Sequence, residues 1–226
     1  LSLREALSLK VETLYGIKYD AESEITVTSG ATEAIFSAIS AVVGFGDEVI
    51  VFEPAYDSYV PAIELNGGVP IFIELQQPNF SIDWDLVQSK ISTKTKLIII
   101  NSPNNPTCKV LSKQDLIALE QLVKEQEIYL IGDEVYEHII FDNQPHNSLM
   151  LNETLRQKSF ICNSFGKTFH VTGWKMGYCL APKALSVEFR KVHQYVTFSS
   201  FTPVQFALAE YIVIPENYKN IPCFYQ

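Results

Sequence analysis

The 226-residue sequence is short of several things, and each shortage narrows what the chain can be. No run approaches the ~18 uninterrupted apolar residues of a membrane-spanning helix, which excludes one. No Lys/Arg-rich stretch occurs, and 17 basic against 26 acidic residues leave a net charge of −9, so a DNA or RNA partner is not expected. Cysteine is sparse. Cys108, Cys162, Cys179 and Cys223 lie far apart with no Cys-x-x-Cys pair, too thin for a disulfide scaffold. The four histidines, His138, His146, His170 and His193, lack the spacing of metal ligands, so no metal is expected. No signal-peptide pattern precedes the sequon Asn152-Glu153-Thr154, and a cytoplasmic setting is the expectation. The chain opens on Leu1 and holds only Met150 and Met176, so it is expected to be a piece of something longer.

What is present is globular: 47% hydrophobic and 19% charged residues supply enough apolar area to offset the entropy of ordering. The length fits one large domain or two small ones. Short β-branched runs at Ile25–Ser29, Glu48–Phe52, Val69–Leu75, Lys96–Asn101, Ile128–Asp133, Ser159–Ser164 and Met176–Ala181 read as strands. Helical spacing fills most of the gaps. Thr32–Val43 gathers Ala34, Ile35, Ala38, Ile39 and Val42 on one face, and Ser112–Glu125 opens with Ser112 three residues before Asp115, as at a helix start. Lys183–Val213 reads as two helical segments broken near Thr202-Pro203. Leu97-Ile98-Ile99-Ile100 is apolar at every position, as in a strand covered on both faces. The order predicts an α/β fold, a mainly parallel seven-stranded sheet sandwiched by helices.

In such sheets ligands bind beyond the carboxyl ends of the strands. The polar residues there are Gly30-Ala31-Thr32, Tyr56, Asn105, Asp133, and Ser164 with Lys167. Any one of them suits a plain strand end; the set together needs explaining. Asp133 closes the apolar run Ile128–Gly132 and stays charged only beside a cation or several donors. Lys167, in the turn Asn163–Thr168, is expected in a semi-buried cleft, where a neutral amine attacks a carbonyl. Pyridoxal 5'-phosphate meets both demands: its aldehyde takes the lysine, its ring nitrogen pairs with the aspartate and its phosphate suits a helix N-terminus.

These residues also resemble a known family. Ser164-Phe165-Gly166-Lys167-Thr168 through Gly173-Trp174-Lys175 is similar to the cofactor-lysine motif of class I aminotransferases. Asp133-Glu134-Val135-Tyr136, Asn104-Asn105-Pro106-Thr107, Thr28–Ala34 and Glu53–Tyr59 resemble four further motifs in the family's order, within the methionine and kynurenine aminotransferase branch. The resemblance runs from Leu3 to Gln226. It implies the three-layer α/β/α large domain of a fold type I pyridoxal-phosphate enzyme, and transamination between an amino acid and a 2-oxo acid. Lys167 would be the catalytic lysine, Asp133 the partner of the ring nitrogen, and Tyr136 and Asn105 donors to the ring oxygen. Tyr56 would stack on the ring, although Tyr59 looks equally eligible. The amides of Ala31 and Thr32, the Ser164 hydroxyl and the Lys175 ammonium would hold the phosphate, with Gly30 also in the cofactor site.

Two departures qualify it. Cys108 stands where the family usually has a glycine, at a backbone position that cysteine tolerates poorly. Only Arg4, Arg156 and Arg190 are present, none in the setting of the family's substrate-carboxylate arginine. The expectation is therefore a large, cofactor-binding domain over residues 1–226, truncated at both ends, with 184–226 starting the connection to a small C-terminal domain. The full-length protein is expected to be a homodimer, and the fragment inactive alone. A β-lyase on the same scaffold is the near alternative. A non-catalytic or nucleotide-binding α/β domain is the distant one, and nucleotide binding fails on sequence: Gly166-Lys167-Thr168 would need glycine at 161, which is Ile161.

Overall fold

The computed structural model describes residues 1–225; Gln226, the end of the expected stretch, lies outside the described residues. Seven strands form one sheet: β1 (Ile25–Thr28), β2 (Glu48–Glu53), β3 (Val69–Glu74), β4 (Thr95–Asn101), β5 (Tyr129–Asp133), β6 (Ser159–Ser164) and β7 (Gly177–Leu180). Their order is β1-β7-β6-β5-β4-β2-β3. Every neighbouring pair is parallel except the two made by β7, which runs against both β1 and β6. The mainly parallel sheet is therefore present, each strand within a residue of its expected bounds.

The larger helices are α1 (Ser2–Tyr15), α2 (Gly30–Val42), α3 (Tyr59–Leu65), α4 (Trp84–Lys90) and α5 (Lys113–Val123), with one-turn helices α6 (Glu153–Arg156) and α7 (Phe165–Thr168). Then come α8 (Lys183–Val196) and α9 (Thr202–Ile212), split at Thr202-Pro203 as expected, and the short α10 (Glu216–Lys219) and α11 (Ile221–Tyr225). At α5, Ser112 and Asp115 close the expected capping box.

Strand alternation divides the core in two. Ile98, Ile100, Leu130 and Ile161 face a layer built from α1, α4, α5 and α9; Leu97, Ile99, Ile131 and Phe160 face one built from α2, α3 and α8. Successive residues of a strand point to opposite faces, so a strand buried on both must be apolar throughout. With helices on both faces, the carboxyl ends of the parallel strands form the one edge where loops gather polar groups.

Candidate active site

Along that edge β1 runs into Ser29-Gly30, β2 into Tyr56, β4 into Asn101 and Asn105, β5 ends in Asp133, and β6 feeds Ser164 and α7. The antiparallel β7 brings Lys175 and Met176 back to the same place. One cavity of about 690 Å3, its open mouth included, is lined by all ten predicted site residues: Gly30, Ala31, Thr32, Tyr56, Asn105, Asp133, Tyr136, Ser164, Lys167 and Lys175.

Asp133 is only 3% exposed. Oδ2 accepts from Tyr59 Oη at 2.5 Å, and Oδ1 takes a long contact from the Val135 amide at 3.4 Å. Those partners include no cation. Burial pushes its carboxyl up to about 6, against the opposing pull of the Tyr59 and Val135 hydrogen bonds. The donors foreseen for it are present; the cation is not supplied by these contacts, so the carboxylate retains a demand for a charged or donating ligand.

Lys167 departs from expectation. It is exposed, because α7 is a single turn that buries Phe165, Gly166 and Thr168 and leaves its third residue at the mouth of the cavity. Its Nζ stands 5.7 Å from the centroid of the half-buried Tyr136 ring. Ser164 caps α7, its Oγ accepting from the Gly166 amide at 3.0 Å.

The phosphate-side elements meet closely. Helix α2 starts at Gly30, two residues before the expected Thr32, so the amides of Gly30, Ala31 and Thr32 lie in its first turn. These amides have no partner within the helix and favour an anion. Gly30 has φ +82°, and a Cβ built on it would lie 3.6 Å from Lys175 Nζ. Lys175 adopts a left-handed conformation with φ 51°, and the end of its side chain reaches the start of α2. The strain anticipated at Cys108 is observed, with φ 60°.

Two contributors escaped the sequence reading, and Tyr59, named there for stacking, holds a different place. Asn101 donates from Nδ2 to the Asp133 carbonyl at 3.0 Å and accepts the Asn105 amide on Oδ1 at 2.6 Å, tying two loops together. Tyr59 is buried at the start of α3 rather than lining the cavity. The second contributor is a charged layer beneath the site. Glu137 accepts from Lys10, Tyr15 and Tyr178, while Glu134 accepts from Ser148 and the Leu149 amide and faces His146. Lys10 sits on the apolar stripe of α1, a visible anomaly, but its partner lies 127 residues away. Arg4, Arg156 and Arg190 donate to backbone carbonyls, Arg190 to the Thr26 hydroxyl as well, and no arginine lines the cavity among the described residues. No cluster of three metal-ligating side chains occurs among them either.

An amine and a buried carboxylate at the strand ends, beside a helix N-terminus and an ammonium, share one cavity of an α/β protein. The chain matches the model of the aminotransferase class I and II family over residues 1–217. It is 51% identical to the methionine aminotransferase of Escherichia coli, over all of this chain and 58% of that protein. It is 35% identical to a kynurenine–oxoglutarate transaminase of Dictyostelium discoideum, over all of this chain and 57% of the relative. The crystal structure of Escherichia coli YbdL, described as identifying a methionine aminotransferase function, superposes with a TM-score of 0.97 over 99% of this chain and 60% of that one. That of N-succinyldiaminopimelate aminotransferase from Mycobacterium tuberculosis, 33% identical, gives 0.96 over 99% and 59%. The chain belongs to the aminotransferase class I and II family, and spans somewhat over half the length of these relatives.

Proposed function

We propose that this chain is the cofactor-binding part of a pyridoxal-phosphate-dependent aminotransferase that moves an amino group from an amino acid to a 2-oxo acid. A thioether or aromatic amino acid is the favoured donor, on the strength of the methionine and kynurenine relatives. The observation that carries the reading is the convergence of the Lys167 amine and the buried Asp133 carboxylate on one cavity that the start of α2 also lines.

The residues present fit pyridoxal phosphate. Asp133 has acceptor capacity left on Oδ1 for a ring N–H, and the first turn of α2 with Lys175 offers amides and an ammonium to a phosphate. When bound, the cofactor supplies a protonated aromatic ring that withdraws electrons from the substrate Cα. The chain's own residues do the rest. Asp133 keeps the proton on the ring nitrogen, which its low-polarity surroundings make a strong pairing. Lys167, free to swing at the cavity mouth, would hold the cofactor's aldehyde and carry a proton to and from the substrate Cα. Tyr136 and Asn105 would donate to the ring oxygen, Asn105 held in place by Asn101. Tyr56 would cover one face of the ring, a contact of about 0.5–1.5 kcal/mol beyond burial.

The full-length protein in this reading is a cytoplasmic homodimer, residues 1–226 form its large domain, and 184–226 lead toward a smaller one. Incubation of the full-length protein with pyridoxal phosphate should give a visible absorbance band that Lys167→Ala abolishes. An unchanged band in the alanine variant would contradict the reading. Keto-acid product with an aminated acceptor distinguishes transamination from β-elimination, which releases ammonia.

A further inference from the structure

Asp133 is held by a side chain that the reaction itself does not call upon. Tyr59, the first residue of α3, reaches across 74 positions of sequence to place its hydroxyl 2.5 Å from Asp133 Oδ2. The phenol is buried, and burial together with the Asp133 charge keeps its proton on well above the ordinary tyrosine range. It is therefore a permanent donor. Its ring also meets that of Tyr56 edge to face at 5.7 Å, and its amide donates to the Tyr56 carbonyl at 3.3 Å. One residue thus touches both the acid expected under the ring nitrogen and the aromatic expected over the ring.

We infer that Tyr59 is a positioning residue that occupies Oδ2 of Asp133, leaving Oδ1 to accept from the cofactor ring nitrogen, and that fixes Tyr56 against the same ring. The inference rests on the site reading given above. The carboxylate has two oxygens. Oδ2 is engaged by the 2.5 Å bond from a buried phenol, whereas Oδ1 takes only the 3.4 Å contact from the Val135 amide, so Oδ1 is the less committed acceptor of the two. Other titratable groups near Asp133 are Glu134, just past the end of β5, and Cys162, the register partner of Asp133 on β6, with Tyr56, Tyr136, Lys167 and Lys175 lining the same cavity. Glu134 is engaged by Ser148, the Leu149 amide and His146, and the Cys162 thiol is pushed up by burial, so neither competes for Asp133. A phenol donor to a buried carboxylate stabilises its charged form and restrains its rotation.

The test uses the full-length protein with Tyr59→Phe and with 3-fluorotyrosine placed at position 59, a stronger donor of nearly the same shape. Asp133 is titrated by carboxyl-carbon NMR without cofactor, and pyridoxal phosphate is then titrated in by absorbance. Tyr59→Phe should raise the Asp133 titration by about one pH unit, a tenfold change in proton affinity, and weaken pyridoxal phosphate binding about tenfold. Fluorotyrosine should move the Asp133 titration the opposite way, a reversal that a merely structural role does not produce. Should the phenylalanine variant fail to fold, the fluorotyrosine shift decides. An Asp133 titration that moves in neither variant, while wild type binds pyridoxal phosphate, overturns the role of Tyr59 alone. A wild-type protein that forms no bound-cofactor band overturns the site reading beneath it.

Discussion

Asp133 shows what a functional residue costs its own fold. In the unfolded chain its carboxyl titrates near 3.8, and burial in the fold raises that to about 6. Because the folded value is the higher, the folded state binds the extra proton between these limits, and stability falls as pH rises from about 4 to about 6. Above that range the penalty is fully present, on the order of 3 kcal/mol at 1.36 kcal/mol per unit; below pH 4 it is gone. In cofactor-free protein, Asp133→Asn should therefore be more stable than wild type by up to about 3 kcal/mol at pH 7, with the gap closing at pH 4. Urea unfolding at the two pH values measures this, and equal stability at pH 7 would show that the carboxylate is already compensated.

The same residue marks the boundary of what could be read from the sequence. That a charge closing Ile128–Gly132 needed donors followed from one strand; that a donor was Tyr59 did not. Tyr56 and Tyr59 are chemically alike and three residues apart, and only the direction in which α3 leaves its loop sends one into the cavity and the other beneath it. Lys167 was legible as an amine in a turn, but its exposure was not, since that depends on α7 ending after a single turn.

Among elements, strands were legible because a sheet buried on both faces demands unbroken apolar runs, as at Leu97–Ile100. The direction of β7 was not, because a short apolar strand reads the same either way. That direction matters. Running antiparallel, β7 starts under the first turn of α2, and a Cβ on Gly177 would stand 2.6 Å from the Gly30 carbonyl carbon, 2.7 Å from the Asn163 carbonyl oxygen and 2.8 Å from the Ala31 nitrogen. All three are backbone atoms that cannot rotate away. Gly177→Ala should cost at least about 2 kcal/mol, as overpacking does, and displace the amides assigned to the phosphate. Gly173→Ala, with nothing within 4 Å of its added Cβ, is the control. Thermal melts with a pyridoxal phosphate titration would separate the pair, and similar behaviour of both would argue against this close packing.

At the scale of the whole molecule, the cavity has an amine, an acid, aromatics and the first-turn amides of α2, but no arginine lines it among the described residues. Arg4 and Arg190 are bonded around Glu22 and Ile25, and Arg156 to Met150. A bidentate arginine pair supplies the orientation that turns binding into a reacting geometry. The apolar surface tells a related story. Phe198 is 76% exposed, with Phe201, Phe206 and Tyr211 also exposed along and just before α9. Produced as residues 1–226 alone, the chain should bind pyridoxal phosphate weakly, turn over amino acids at under about a hundredth of the full-length rate (some 2.7 kcal/mol in the barrier), and bind hydrophobic dyes. Side-by-side kinetics and dye fluorescence of the two lengths check this. Turnover by the 226-residue chain equal to that of the full-length protein would mean that substrate is held by residues other than an arginine, with the Lys175 ammonium and Asn105 amide the first to examine.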